Sequence, residues 1–273
     1  MYKQQSIWNE REFTLDGIET LWIYSCNRDV YLYHTEAENL LLKENYGKHS
    51  EAAVVERRDD ALCLEVSKRE WRVQIGINDS RFHTWGTATM EIHVPKGFAG
   101  QIYVGTAGGD VFMRDDWKLE NLQMQVGSGD ISLGNIGARH ILLEAKHGDV
   151  EVESFMGDLK CSVFNGDIAI KHGRGRQKLE SVSGDILTVL IPDCHSLSAH
   201  TTSGDIRVVA AAECVCRIKA TAGSGDVRAT VAGLQVTEQR ENRLIGMIGM
   251  AKEGKTPAEA TLSAASGDII LTN

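Results

Sequence analysis

The dipeptide Gly-Asp followed by an aliphatic residue recurs through this chain with its Asp at Asp110, Asp130, Asp149, Asp167, Asp185, Asp205, Asp226 and Asp268, and intervals of 18 to 21 residues separate the members up to Asp226. A period in that range is one supersecondary unit too small to bury its own apolar face, so it must stack on its neighbours. The chain is therefore a repeat protein, and every later inference is constrained by that.

The flanking residues fall into register with the Asp column. One and three residues after it stand Val111 and Met113, Ile131 and Leu133, Val150 and Val152, Ile168 and Ile170, and Ile206 and Val208, with polar residues such as Ser132, Glu151 and Arg207 between them. This period-two alternation is that of a strand with one buried face. Eight, six and four residues before the Asp the apolar positions return as Ile102, Val104 and Thr106, Leu122, Met124 and Val126, Ile141, Leu143 and Ala145, and Ile218, Ala220 and Ala222. Each repeat is thus strand, corner, strand. The corner residue before every Asp is Gly, which takes positive φ without a Cβ clash, and short polar residues (Ser128, Asn165, Ser203, Ser266) precede it.

Two spacings extend the reading. The interval from Asp226 to Asp268 is 42 residues, twice 21, and predicts a degenerate rung at its midpoint, where Gly246, Met247, Ile248 and Met250 reproduce the pattern with Met247 in place of Asp. Between Asp149 and Asp167 stands an extra Gly157-Asp158-Leu159, as though both corners of that rung used one chemistry.

The fold class expected is all-β, a parallel β-helix-like solenoid with rungs of about 18–21 residues. Residues 1–273 form a single solenoid domain in this reading, with 1–99 a less regular β portion and 100–273 the regular array. In the first portion Cys26-Asn27-Arg28-Asp29 reads as a degenerate corner with Arg28 in place of Gly. Leu62, Leu64 and Val66, then Met90, Ile92 and Val94, read as further strands. Glu56 to Asp60 reads as a solvated turn, and Glu238 to Arg243 as an exposed loop. The segment Thr237 to Lys255 is the one long enough to cover the last rung at Asn273; it caps a monomer, or two chains meet there as a homodimer, and the monomer is favoured because Glu238, Arg240, Glu241 and Arg243 keep the loop soluble.

Met1 to Thr20 is polar where an export leader needs an apolar core, and no apolar run reaches the roughly 18 residues of a membrane span, so a cytoplasmic protein with reduced cysteines is expected. A net charge of −9 argues against nucleic acid as a partner.

With its opening Phe13 to Leu21, the Ile92-His93-Val94-Pro95-Lys96 before the regular array and the closing Leu262 to Ile269, the chain resembles the bacterial adhesin-like domains of unknown function built from Gly-Asp-Ile/Val repeats. The resemblance covers nearly the whole chain. It implies a right-handed β-solenoid with no established enzymatic activity.

Several constellations point elsewhere and are weighed against their surroundings. Gly249 to Thr256 matches the phosphate-binding P-loop pattern, but such a loop must open a helix, and Ala260, Leu262 and Ala264 continue in strand phase. Among the six cysteines, Cys63, Cys161, Cys214 and Cys216 read as small core residues; Cys194 with His195 and His200 is the sole arrangement suggesting a metal, and core packing is the preferred account. Stacked rungs bring equivalent Asp residues about 4.8 Å apart, a ladder that invites Ca²⁺, but the second Gly-rich turn of Ca²⁺-binding β-rolls occurs here only at Gly157-Asp158. The Asp residues are expected to be structural. No catalytic, cofactor-binding or metal residue is assigned, and no cofactor is expected.

Two functions remain. The first is a non-catalytic binding or scaffold protein for an unknown protein or cell-envelope partner. The alternative is a polysaccharide-acting β-helix lyase or hydrolase, which would need aromatic stacking platforms and paired acids; after Trp117 the array holds no Trp or Tyr, only Phe155 and Phe164.

Overall fold

The computed structural model describes residues 7–46, 51–66, 88–250 and 256–273, and among them there is no helix. Strands β1 (Ile7–Phe13), β2 (Thr20–Ser25), β3 (Asp29–Thr35), β4 (Leu40–Tyr46), β5 (Val54–Arg58), β6 (Ala61–Glu65), β7 (Thr89–Pro95) and β8 (Gln101–Thr106) form the less regular N-terminal portion. Four long strands, β9 (Val111–Ser128), β10 (Ile131–His147), β11 (Val150–Asn165) and β12 (Ile168–Ser183), each run from one Asp corner to the next. The rest are shorter: β13 (Ile186–Leu190), β14 (Cys194–Ser203), β15 (Ile206–Ala210), β16 (Cys216–Ser224), β17 (Val227–Ala229), β18 (Leu234–Arg240), β19 (Arg243–Ile248), β20 (Ala258–Ser266) and β21 (Ile269–Thr272).

Successive rungs pair in parallel with the Asp column in register: Ile131 lies between Val111 and Val150, and Leu143 between Met124 and Cys161. Residues before the corner build one wall of the solenoid and residues after it the other. Both walls turn alternate side chains into one continuous core running from Ile18 to Leu271.

Close approach of neighbouring rungs explains the glycines at the corner. Gly204 has φ +142°, and a Cβ there would stand 2.2 Å from the carbonyl oxygen of Gly184 on the adjacent rung. The Asp that follows locks the rungs together: its Oδ1 accepts the backbone N–H of the Asp one rung along. Eight such bonds of 2.7–2.9 Å join nine residues. These Asp side chains are turn and ladder residues, as their position next to Gly implies.

The order of that ladder is Asp29, Asp110, Asp130, Asp149, Asp167, Asp185, Asp205, Asp268, Asp226, which departs from chain order at its last two members. The last strands of the chain lie inside the stack. β20 pairs in parallel with β14 on one side and β16 on the other, and β21 likewise with β15 and β17. At the other end β2 sits between β6 and β8, and β3 between β7 and β9. The expectation of a rung at Met247 is therefore wrong. The 42 residues after Asp226 hold a hairpin, in which β19 pairs antiparallel with β16 and β18 with β19. Gly246 and Met247 lie within β19, and the chain reverses at Glu241–Asn242, so Glu238 to Arg243 is hairpin rather than loop. The hairpin does cap the stack, but over the rung of Asp226; the rung ending at Asn273 needs no cap because it is interior. At the opposite end β5 caps β6, while β4 caps β7 and β1 caps β4, all antiparallel. Glu56 to Arg58 accordingly belong to β5, exposed as expected, and only Asp59–Asp60 form the turn.

Arg28, at the degenerate corner, has no positive φ and buries its side chain. Its Nη1 meets Glu44 Oε1 at 2.8 Å, its Nη2 donates to the carbonyl of Glu51, and its guanidinium lies 5.1 Å from the Tyr46 ring centre. Glu44, fully buried, also accepts from Arg11 Nη2 at 2.6 Å and the Ala53 N–H at 2.8 Å. A charge removed from water is tolerable only when paired and hydrogen-bonded in this way.

Candidate functional site

The corner opposite the Asp ladder is built differently along the stack. Several rungs close there with a β-turn, such as Ile191–Cys194 and Ala211–Cys214, where the fourth N–H donates to the first carbonyl at 3.0 and 3.3 Å. In the central rungs Gly157 and Gly175 stack instead, with φ +130° and +125°, so the expected second glycine corner exists at Gly157 and extends one rung further.

An open groove of about 1340 Å³ runs along this corner, lined by Met156, Cys194, Cys214, Gly249 and Pro257 among others. Its chemistry is that of closed pairs. Arg176 grips Asp158 through two bonds, Nε to Oδ1 at 2.9 Å and Nη2 to Oδ2 at 2.6 Å, and this holds the Asp158 carboxyl below its ordinary pKa. A carboxylate kept ionised this way is a poor proton donor. Burial pushes the Cys194 thiol up to about 11, so it stays protonated at neutral pH; Gln177 Nε2 reaches its sulfur at 3.7 Å while Gln177 Oε1 accepts from Thr188. His195 and His200 are exposed whereas Cys194 is buried, and His195 borders the groove beside it. Cys161, Cys214 and Cys216 are buried, as expected, whereas Cys63 faces outward between the inward Leu62 and Leu64. Among the described residues no three His, Cys, Asp or Glu converge on a point.

The Asp edge is likewise occupied by its own bonds. Each ladder Oδ1 from Asp29 to Asp268 accepts an amide, and in the last rungs Arg228 reaches Oδ2 of Asp226 at 2.6 Å and of Asp268 at 3.9 Å.

What stands open is aromatic. On the outer face of one wall the indole of Trp22 stacks on Tyr103 with centroids 4.2 Å apart, and Trp22 remains 49% exposed. Beside them the Tyr24 ring covers Gly105, a residue whose missing side chain leaves room for it. On the other wall Tyr31 stacks on Phe112 at 4.7 Å, Arg114 lies over Phe112 at 5.3 Å, and Tyr33 contacts His93 at 5.2 Å. Partial burial raises the Tyr31 and Tyr33 phenols above their ordinary pKa, leaving them neutral hydrogen-bonding groups. Apart from His93, which stands on the neighbouring β7, both patches belong to the two rungs of Asp29 and Asp110. Aligned on those corners, Trp22 and Tyr103 share one offset, and Tyr31 and Phe112 another; the signal was in the sequence, but it appears only once the two rungs are known to be neighbours.

A family profile built on the Toastrack domain matches residues 18–272, from the first β-turn to the end of the interior rung. The chain belongs to the Toastrack DUF4097 family. The Toastrack match takes in both aromatic patches and the whole ladder and leaves β1 outside. Solved structures similar to this Toastrack chain include a candidate adhesin from Bacteroides fragilis, 12% identical over 99% of each chain with a TM-score of 0.49. Others are a candidate adhesin from Parabacteroides merdae (9% identical, 97% of this chain and 96% of that one, TM-score 0.48) and a candidate cell adhesion protein from Clostridium sporogenes (14% identical, 98% and 99%, TM-score 0.35). Among curated proteins none matches.

Proposed function

We propose that this Toastrack chain is a non-catalytic binding module that holds a protein partner against the outer aromatic faces of the Asp29 and Asp110 rungs. The observation that supports this most is the exposure of Trp22, which stays 49% exposed while stacked on Tyr103. Flat aromatic side chains with few rotatable bonds give large contact area for little ordering cost, which is why they dominate binding hot spots. The solenoid supplies the stiffness that fixes them. The groove, by contrast, holds Asp158 in its ion pair with Arg176 and keeps its thiols protonated by burial, and this weighs against the lyase or hydrolase alternative.

The cytoplasm belongs to the same proposal, since the buried thiols of Cys161, Cys194, Cys214 and Cys216 suit a reducing compartment. Alkylation of freshly lysed cells under denaturing conditions without reductant is expected to label all six; fewer would place the protein elsewhere. The binding test is retention of partners from native cells on the immobilised protein and on Trp22→Ala/Tyr31→Ala, one change per wall. A protein kept by the first and lost by the second is expected. Equal retention by both refutes the reading, and retention of isolated envelope polymer instead of protein would replace the partner class.

A further inference from the structure

We propose that β20–β21 is an exchangeable rung, and that the slot between the Asp205 and Asp226 rungs accepts residues 258–272 of a second copy of the chain through the same bonds as its own. The first ground is topology. These strands come last in the chain yet lie second from the end of the stack, bonded on both sides to strands made earlier, so the slot they fill is created by other parts of the sequence. The second is the sameness of the bonds. Asp268 donates its N–H to Asp205 Oδ1 and accepts that of Asp226, the contacts made at every other corner, and none of them distinguishes one copy's Asp268 from another's.

The third ground is the slightness of the rung's core. It buries Ala260, Leu262, Ala264, Ile269 and Leu271; Leu262 and Ala264 face Ala199 and Thr201 on one side and Ala220 and Ala222 on the other, while Ala260 lies between Leu197 and Ile218 and Ile269 between Ile206 and Val227. Less apolar surface is exposed when it leaves than when a rung carrying Leu122, Met124 and Val126 does. The described residues on either side of the link from the hairpin to the rung, Gly249 and Met250 before it and Thr256 and Pro257 after it, line the open groove rather than the core. Exchange of an identical element between copies is a low-cost route to dimers. The tether gives the chain's own rung a local concentration on the order of millimolar, so exchange is favoured when chains fold together at high concentration rather than after folding alone.

The test uses two full-length variants. Ser198 and Thr261 are register partners on the outer face of β14 and β20, at the roughly 4.8 Å separation of paired strands, which suits a disulfide. Ser198→Cys and Thr261→Cys chains carrying different tags are unfolded, mixed, refolded together at high concentration and oxidised. A covalent heterodimer about tenfold above that from Ser198→Cys mixed with Ser132→Cys, on the other wall, is expected. Its absence while the single chain Ser198→Cys/Thr261→Cys closes its own disulfide overturns the proposal. Should that chain fail to close, co-refolded tagged copies without the new cysteines decide: a mixed dimer by light scattering and pull-down supports exchange, and monomers alone overturn it.

Discussion

Replacing Gly204 by Ala places a methyl group against the backbone of the next rung, and the cost follows from three features of the structure. The backbone has φ +142°, a region other residues enter at a cost of about 1–3 kcal/mol. The new Cβ would lie 2.2 Å from the Gly184 oxygen and 2.6 Å from its carbon, both backbone atoms that cannot swing away. To relieve this the two rungs must part by roughly 1 Å, which takes the Asp205 N–H to Asp185 Oδ1 bond (2.8 Å) and the Ile186 N–H to Asp205 carbonyl bond (2.9 Å) beyond hydrogen-bonding range, at about 1 kcal/mol each. The expected destabilisation is about 3–5 kcal/mol, a large part of a typical domain's stability. Gly97→Ala is the internal comparison, since its φ is not positive and no atom lies within 4 Å of the added group; it is expected to change stability by less than about 0.5 kcal/mol. Urea denaturation followed by circular dichroism measures both. A loss at Gly204 under about 1 kcal/mol, or one equal to that at Gly97, would refute the claim that inter-rung contact rather than local flexibility demands glycine.

Asp185→Ala removes the acceptor of the Asp205 N–H and is expected to cost about 1–2 kcal/mol, whereas Asp185→Asn keeps an oxygen in place and should stay within about 0.5 kcal/mol; equal losses in the same denaturation assay would show that charge, not the acceptor, matters. Glu44→Ala leaves Arg28 buried without a counter-ion and is expected to cost about 3–5 kcal/mol by calorimetry, while a loss below 1 kcal/mol would mean that water reaches the cluster. Arg176→Ala should let the Asp158 pKa climb back toward the ordinary carboxylate value, read by NMR titration. Because the folded pKa is depressed, the stabilisation this pair gives is present at neutral pH and is lost as pH falls through the folded pKa, and the variant should lack that acid-side loss.

The strand–corner–strand repeat was legible because its cause is local: Gly before Asp is required by a contact every rung makes, so the column stands out at Asp110 and at Asp268 alike. Stacking order was not legible, because the same contact is interchangeable. Nothing in Ser266-Gly267-Asp268 says that its neighbours are Asp205 and Asp226 rather than a rung at Met247, and a gap of 42 residues suits a hairpin as well as a rung. Arg28 was recognised as a departure from Gly, but its ion pair with Glu44 depends on β4 returning antiparallel, which no corner signature marks. Cys63 sits between Leu62 and Leu64, and in a strand that spacing turns it outward. The aromatic patches were hidden for the same reason as the stacking order, since Trp22 and Tyr103 lie far apart along the chain and meet only because β2 is placed beside β8.

The out-of-order rungs also restrict how such a protein lengthens over evolution. Between Asp110 and Asp205 the order of stacking is the order of the chain, so a tandem duplication of one repeat there adds a rung and leaves every other neighbour unchanged. Beyond Asp205 a duplicated unit must either displace β20–β21 from its slot or push the capping hairpin away from β16. Before Asp110, β2 and β3 are held between strands that follow them in the chain. Length variation in relatives with this topology belongs in the middle of the stack, with the interleaved ends inherited as fixed pieces.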